Sequence, residues 1–212
     1  GCGPGARLSE RPDVHVTLVE AGPDLRGADT PDAISGSSFV AAMELAERSW
    51  PSLLAVRADG QTPRTYLRGR GVGGSSAINA MLALPGRPDD YDEWVDRFGC
   101  VGWGWRDLAP CLGRTALSLH RAPRDEWGAI STALGEADPS AAAGVLLTRD
   151  VRGRRVSVND AYLEPARHRA NLQVVAGALV DRVVLRDRRA RGVRLADGSE
   201  IAADTVIVSA GA

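Results

Sequence analysis

The feature that most constrains this chain is the run Arg68-Gly69-Arg70-Gly71-Val72-Gly73-Gly74-Ser75-Ser76-Ala77-Ile78-Asn79. Backbone without side chains reaches conformations closed to other residues, and it lets peptide N–H groups come close to a pyrophosphate or a flat ring. Ser75, Ser76 and Asn79 add hydrogen-bonding groups. Arg68 and Arg70 add guanidinium groups suited to phosphate. A flexible Gly/Ser linker would share this composition. Here the apolar stretch Ala77 to Leu84 follows at once, so the loop reads as built to be buried.

The surroundings suit an α/β domain. A short helix opens the chain and ends at Ala6-Arg7-Leu8-Ser9-Glu10, and Pro12-Asp13 makes a turn. Val14 to Val19 is dense in β-branched residues and reads as a strand ending at Glu20-Ala21-Gly22-Pro23. Residues 24–65 read as irregular, with one helix around 38–48. Residues 88–98 and 104–113 read as short helices, and 126–136 as a further one. After Asn171 the pattern turns to β: strands are expected at Leu172–Val175, Val180–Leu185, Gly192–Leu195 and Thr205–Val208, with a hairpin-type turn at Asp197-Gly198. The order implies a parallel sheet with an antiparallel accessory meander. Such a sheet binds its ligand at the carboxyl ends of its strands.

One carboxylate sits where that rule places a ligand. Glu20 ends the first strand, 19 positions after Gly1. A strand-end carboxylate about 20 residues after a glycine turn can accept the hydroxyls of an adenosine ribose. No strand precedes Gly1, so the chain is expected to start inside a G-x-G-x-x-G fingerprint, with Gly1 as its last glycine.

Composition excludes several classes. The net charge of −1 gives no pull toward nucleic acid or an anionic membrane, and no apolar run approaches a membrane span. Cys2, Cys100 and Cys111 form neither a disulfide framework nor a metal cluster. No metal site is expected, and a reducing cytoplasm is the simplest setting, with the inner face of the membrane as a peripheral alternative. His15, His120 and His168 assemble into no nucleophile–base–acid set. His15 reads as a strand residue, His120 and His168 as exposed, and Trp103 and Trp105 as core.

The residues Gly69, Arg70, Val72, Gly73-Gly74, Ser75-Ser76, Ile78, Asn79, Gly86 and Asp92 together resemble the first signature of the glucose–methanol–choline (GMC) oxidoreductase family along its whole length. Leu18-Val19-Glu20-Ala21-Gly22 resembles the family's opening. Asp89 to Trp94 and Gly102-Trp103-Gly104-Trp105 resemble the helices after the signature. Gly153-Arg154-Arg155 with Ser157, then Ala161-Tyr162-Leu163, Pro165 and Asn171-Leu172, resembles the return into its FAD domain. Val206 to Ala212 resembles the strand that opens the second signature.

The resemblance implies an FAD/NAD(P)-binding Rossmann-like domain with a partial substrate domain, cut short at both ends. Residues 1–113 would be the first part of the FAD domain, 114–157 a shortened substrate segment and 158–212 the returning part. Glu20, with Ala21 beside it, would hold the ribose, and Gly1 would face the pyrophosphate. Arg70, Gly71, Gly73, Gly74 and Ser75 would line the cofactor, and Asn79, Ala80, Met81 and Leu82 would run beside the isoalloxazine. Val180 would meet the adenine, and Ala210 and Gly211 would close over the site. Some members attach flavin covalently through a His at the Asn79 position; Asn cannot form that bond, so FAD is expected to be non-covalent.

The implied activity is oxidation of an alcohol CH–OH to a carbonyl. The family's catalytic His lies later than residue 212, so no catalytic residue is assigned and the 212-residue chain is expected not to turn over an alcohol. The short middle segment and Asp125-Glu126-Trp127-Gly128 resemble the branch that oxidises reduced mycofactocin and passes electrons toward the respiratory chain. Alternatives are a generic alcohol or choline dehydrogenase, or a non-catalytic remnant. A nicotinamide-binding domain gives the 69–79 loop no role.

Overall fold

The computed structural model describes residues 1–138 and 145–211. The expected segment 114–157 and the stretch ending at Ala212 therefore lie partly outside the described residues.

In chain order the helices are α1 (Cys2–Leu8), α2 (Asp32–Ser35), α3 (Phe39–Met43), α4 (Pro88–Phe98), α5 (Trp105–Leu112), α6 (Ala129–Ala137) and α7 (Glu164–Ala166). The strands are β1 (Val16–Val19), β2 (Leu54–Ala55), β3 (Arg64–Thr65), β4 (Leu119–Arg121), β5 (Leu146–Thr148), β6 (Leu172–Val175), β7 (Val180–Arg186), β8 (Arg189–Leu195) and β9 (Glu200–Ala202). One compact unit joins residues 1–80 to 153–212, and a second spans 81–152. The expected α/β class holds: β1 and β6 pair in parallel, and the remaining strand pairs are antiparallel.

In the first unit α1 lies against β1. Gly1 and Gly5 are one turn apart, and a Cβ at either would meet Leu18 Cδ1 at 3.5 and 3.4 Å. A methyl group at either position would therefore make only ordinary van der Waals contact with the strand. Pro4, in the first helical turn, removes a donor that has no intrahelical partner there. Cys2, Ala6, Leu18, Val72, Leu163 and Leu172 form the core between them. Asn171 closes the far end: its Nδ2 donates to the carbonyls of Ser9, Arg11 and Val14. A second cluster gathers Ile34, Ala42, Ala77 and Ile78 beneath the glycine loop.

Gly3 faces open space, with nothing within 4 Å of where a Cβ would stand. Glycine in a helix costs about 0.5–1 kcal/mol relative to alanine. Gly3→Ala is therefore expected to raise the melting temperature by about 2 °C; thermal unfolding followed by circular dichroism checks it.

The turn after β1 is tied to α7 by charge. Arg167 grips both oxygens of Asp24 at 2.8 and 2.7 Å, and Arg26 Nε donates to Glu164 Oε2 at 3.0 Å. The hydrogen bond from Arg26 holds the Glu164 carboxyl below its ordinary value of 4.5. A depressed folded-state pKa contributes stability above the unfolded value, and that contribution disappears as pH falls through the folded one. Arg26→Ala is expected to remove this part of the acid-side slope, read by melts between pH 3 and 6 (roughly the carboxylate range).

Several sequence expectations shift. The strand begins at Val16 rather than Val14, because the Val14 N–H closes a turn onto Arg11 O. The helix expected over 38–48 splits into α3 and a 3₁₀ turn, Ala46–Arg48. Its last residue is drawn inward, as described below. The third β-segment starts three residues early at Arg189, and β9 pairs with it from Glu200 to Ala202. Thr205–Val208 is not a strand: among the described residues no partner strand lies beside it, and Ile207 and Val208 are exposed. His120 is half-buried in β4, its Nε2 3.1 Å from Ser118 Oγ, while His15 and His168 are exposed.

In the second unit Tyr91 packs edge-on against Trp94 at 5.3 Å and stacks with Trp105 at 5.8 Å. Asp92 Oδ1 accepts the Trp105 N–H and so caps α5. Trp103, expected in the core, is exposed, because it lies in the connecting turn outside that aromatic cluster. Buried Arg149 donates to Glu126 Oε2 and to Arg121 O. Among the described residues no helix is long and apolar enough to cross a membrane.

Candidate functional site

Glu20 leaves β1 with its backbone held on both sides: its N–H donates to Val175 O and its carbonyl accepts from Ala178 N, each at 2.9 Å. The side chain then turns to the glycine loop. Oε1 accepts from Gly22 N at 3.0 Å and from Gly71 N at 2.9 Å. One carboxylate oxygen thus joins two segments 49 residues apart. Oε2 lies outside these bonds, and it is the acceptor that a ribose hydroxyl would use.

The two segments touch backbone to backbone. A Cβ at Gly22 would stand 2.4 Å from Gly71 N and 2.5 Å from Arg70 C. One at Gly69 would stand 2.4 Å from Gly74 O. Gly71 adopts φ +135°, and its missing Cβ is replaced by the guanidinium of Arg48, whose Nη1 lies 2.1 Å from that position.

Arg48 is only 2% exposed. It donates to Pro23 O at 3.1 Å and Val72 O at 3.3 Å, and its own carbonyl accepts Arg70 N at 2.7 Å. Burial lowers its pKa, against the opposing charges of Glu20, Glu47 and Asp24. Sequence reasoning missed it. Its partners are backbone carbonyls more than 20 positions away, and no local pattern marks such a contact.

The remainder of the loop is also internally bonded. Ser75 Oγ accepts Gly69 N, and Ser76 Oγ donates to Gly73 O and accepts Val158 N. Gly74 N donates to Gly71 O. The glycines therefore first serve close packing of protein on protein, and several of their N–H groups are already occupied. Gly73 packs on Asn159 and Ser157, where the chain makes a wide π turn at Asn159–Leu163. Gly74 differs: at φ +54° it has nothing within 4 Å of its Cβ position, so the loop presents its open side there. Buried Cys2 lies under Gly73. Burial pushes its thiol up, while a backbone hydrogen bond at Gly73 pulls it down.

The sequence-derived site residues fall into groups. Glu20, Ala21, Arg70 and Gly71 come together, with Arg70 Nη2 donating to Ala21 O and its guanidinium 5.7 Å from the Trp50 ring. Gly73, Gly74 and Ser75 continue the same loop, and Asn79 and Ala80 end this unit. Gly1 is the exposed N-cap of α1. Val180 starts β7 opposite Leu195, while Ala210 and Gly211 are exposed in the last described stretch. Met81 and Leu82 belong to the second unit. Buried Met81 takes φ 60° and accepts Thr148 N, and exposed Leu82 bridges to Leu147. The donor set fits an adenosine diphosphate cofactor: a strand-end carboxylate with a spare oxygen stands beside a rigid loop with one open, side-chain-free face.

A family model described as GMC oxidoreductase matches residues 33–212. The oxygen-dependent choline dehydrogenase of Burkholderia thailandensis is 31% identical over 93% of this chain and 41% of its own length. That of Vibrio vulnificus is 30% identical over 100% of this chain and 43% of its own. The chain thus spans less than half the length of these curated relatives. Pyridoxine 4-oxidase from Mesorbium loti superimposes with a TM-score of 0.81 at 28% identity, covering 96% of this chain and 47% of that one. Formate oxidase shares the fold at a TM-score of 0.72 and 24% identity. With a family match over residues 33–212, and with relatives 30–31% identical over at least 93% of its length, the chain belongs to the GMC oxidoreductase family.

Proposed function

We propose that this chain is the FAD-binding part of an oxidoreductase that converts an alcohol CH–OH to a carbonyl. The observation that carries the reading is the Glu20 carboxylate bonded to Gly71 N, which sets the ribose acceptor and the glycine loop in one rigid piece. When bound, FAD supplies a two-electron acceptor for the donor carbon.

The chain's own residues bind and orient. Glu20 and Ala21 take the ribose, and Gly1 faces the pyrophosphate. Arg70, Gly71, Gly73, Gly74 and Ser75 present the loop, and Asn79, Ala80, Met81 and Leu82 carry the chain past the ring. Val180 meets the adenine, and Ala210 and Gly211 cover it. In this reading residues 1–113 and 158–212 form the FAD domain and 114–157 the substrate segment; the packing units divide the chain at different points. Asn79 offers no ring nitrogen for a covalent flavin link, which supports non-covalent FAD. Choline and pyridoxine, named in two relatives, are both alcohols, which supports the CH–OH donor class. No base is assigned among His15, His120 and His168, none of which is hydrogen-bonded to residues 68–80 among the described contacts.

The protein is expected to purify yellow, and to release free FAD when denatured. A colourless protein that takes up no FAD overturns the reading, and flavin retained on the denatured chain overturns the non-covalent part.

Reduced mycofactocin as donor is a narrower reading, resting on Asp125-Glu126-Trp127-Gly128. The structure uses that stretch as a corner: Glu126 pairs with Arg149, and Trp127 Nε1 donates to Ala122 O. The general alcohol reading is therefore preferred. Growth on ethanol with and without the gene separates the two.

A further inference from the structure

The antiparallel sheet of β7, β8 and β9 concentrates positive charge on one face. Residues directly opposite each other in antiparallel strands share a face, so the register lists the rungs of that face. One rung is Arg182, Arg194 and Glu200, the next is Val184, Gly192 and Ala202, and the last is Arg186 with Arg189. Two pairs, Arg182 with Arg194 and Arg186 with Arg189, set like charges opposite each other, which destabilises a sheet. Glu200 is the carboxylate on these rungs. Its Oε1 takes Arg194 Nη2 at 2.8 Å, and its Oε2 stands 3.9 Å from Arg186 Nη2. Among the described contacts Arg189 has no carboxylate partner.

A β-bulge adds a fifth arginine. Val184 pairs with Gly192 and Leu185 with Ala190, so Arg191 is the extra residue between them. Gly192 takes φ +137°, where a Cβ would stand 2.1 Å from Ile201 O, and Arg191 O accepts Ala203 N at 3.1 Å. The bulge is thus pinned to β9, and it re-aims the Arg191 side chain. With Arg186, Glu200 and Ile201, Arg191 lines a hollow of about 250 Å³ over Val184 and Ala202. The hollow exists because the middle rung holds small side chains between two charged rungs. It is smaller than the roughly 300–1,000 Å³ of pockets for drug-sized ligands, so it suits a compact ion. Arg191 makes no ion pair among the described contacts. We propose that this hollow binds a phosphate dianion between the guanidinium groups of Arg186 and Arg191. Each guanidinium presents a planar fork of N–H donors that matches phosphate oxygens. None of the lining residues belongs to the FAD reading, so the two stand or fall separately.

The test titrates the protein as purified with inorganic phosphate, against potassium chloride at equal ionic strength, and follows the backbone amide resonances. The amides of Arg191, Gly192 and Ala203 are expected to shift saturably. Half-saturation is expected at about 1–10 mM, the affinity of a small ion held by two exposed charged contacts. R191A is expected to weaken binding about tenfold. R106A removes an exposed arginine of the second unit and is expected to leave binding unchanged. Should R191A disturb the bulge, R186A takes its place in the same comparison. E200Q moves in the direction that a purely structural role would not. It weakens the surface pair with Arg194, yet it removes the carboxylate that competes for Arg186, so phosphate is expected to bind about threefold more tightly. Shifts that chloride reproduces, shifts that persist in both R191A and R186A, or weaker binding in E200Q overturn the proposal. Shifts confined to residues 69–75 overturn it as well, because they put the phosphate on the glycine loop.

Discussion

Gly22→Ala is expected to destabilise the protein by about 3 kcal/mol, the upper part of the range for overpacking, and to abolish FAD binding. The new Cβ would stand 2.4, 2.5 and 2.6 Å from Gly71 N, Arg70 C and Arg70 O. All three are backbone atoms, so no side chain can swing away. The loop cannot retreat easily either. Val72 N is bonded to Pro23 O, Arg70 N to Arg48 O, and the Arg48 guanidinium fills the space behind Gly71. The two segments must separate, and separation breaks the Glu20–Gly71 bond. A fall of roughly 6–12 °C in melting temperature is expected for a domain of this size. Gly3→Ala, one methyl group added in open space, is the control. An unchanged melt with flavin retained would show that the two segments do not pack as described.

Replacing Glu20 separates its two roles. Glu20→Ala leaves the N–H groups of Gly22 and Gly71 without their acceptor. An unsatisfied buried donor costs about 1–3 kcal/mol. The site is half-buried, so water offsets part of this, and a total of about 2–4 kcal/mol is expected. Glu20→Gln keeps an oxygen at the Oε1 position but loses the charge. Bonds to an ionised acceptor are roughly twice as strong as neutral ones, so a loss of about 1 kcal/mol is expected. At Oε2 the amide replaces an acceptor with a donor. FAD affinity is expected to fall about tenfold for Glu20→Gln, one hydrogen bond's worth, and at least about 100-fold for Glu20→Ala. Denaturant melts and FAD titration check the pair. Unchanged affinity in Glu20→Gln overturns the ribose assignment while leaving the structural strut in place.

Parts of this architecture are written locally. α4 begins at Pro88 with Asp89 and Asp90 in its first turn and ends at Gly99 in the left-handed conformation. Proline first and glycine last is a signal contained in a dozen residues. The strand at Leu172–Val175 was legible from the turn to a β pattern after Asn171, and the hairpin turn at Asp197-Gly198 from its turn chemistry; Ser199 is held by Asp197 Oδ1 in the structure. Thr205–Val208 was misread for the opposite reason: a strand needs a neighbour, and its residues do not contain one. Trp103 was misplaced because an aromatic side chain goes inside only where the chain gives it something to pack on.

At the site, the sequence by itself determined where side chains are excluded. The glycines at 22, 69, 71 and 73, and the carboxylate at 20, are fixed by residue type, and the longer run from Gly69 to Asp92 carried the family resemblance. Only the tertiary structure decided what fills the excluded space. Glycines that read as openings for a ligand are largely filled by Arg48, by one another's backbone and by the 157–159 segment, and Gly74 keeps the open face. It also showed that the Glu20 side chain supports the loop, and that Arg155 bonds the Asn79 carbonyl from 76 positions away. The physical reason is range. Backbone conformation and turn chemistry act over a few residues, whereas a buried guanidinium bonds whichever carbonyls the fold carries to it.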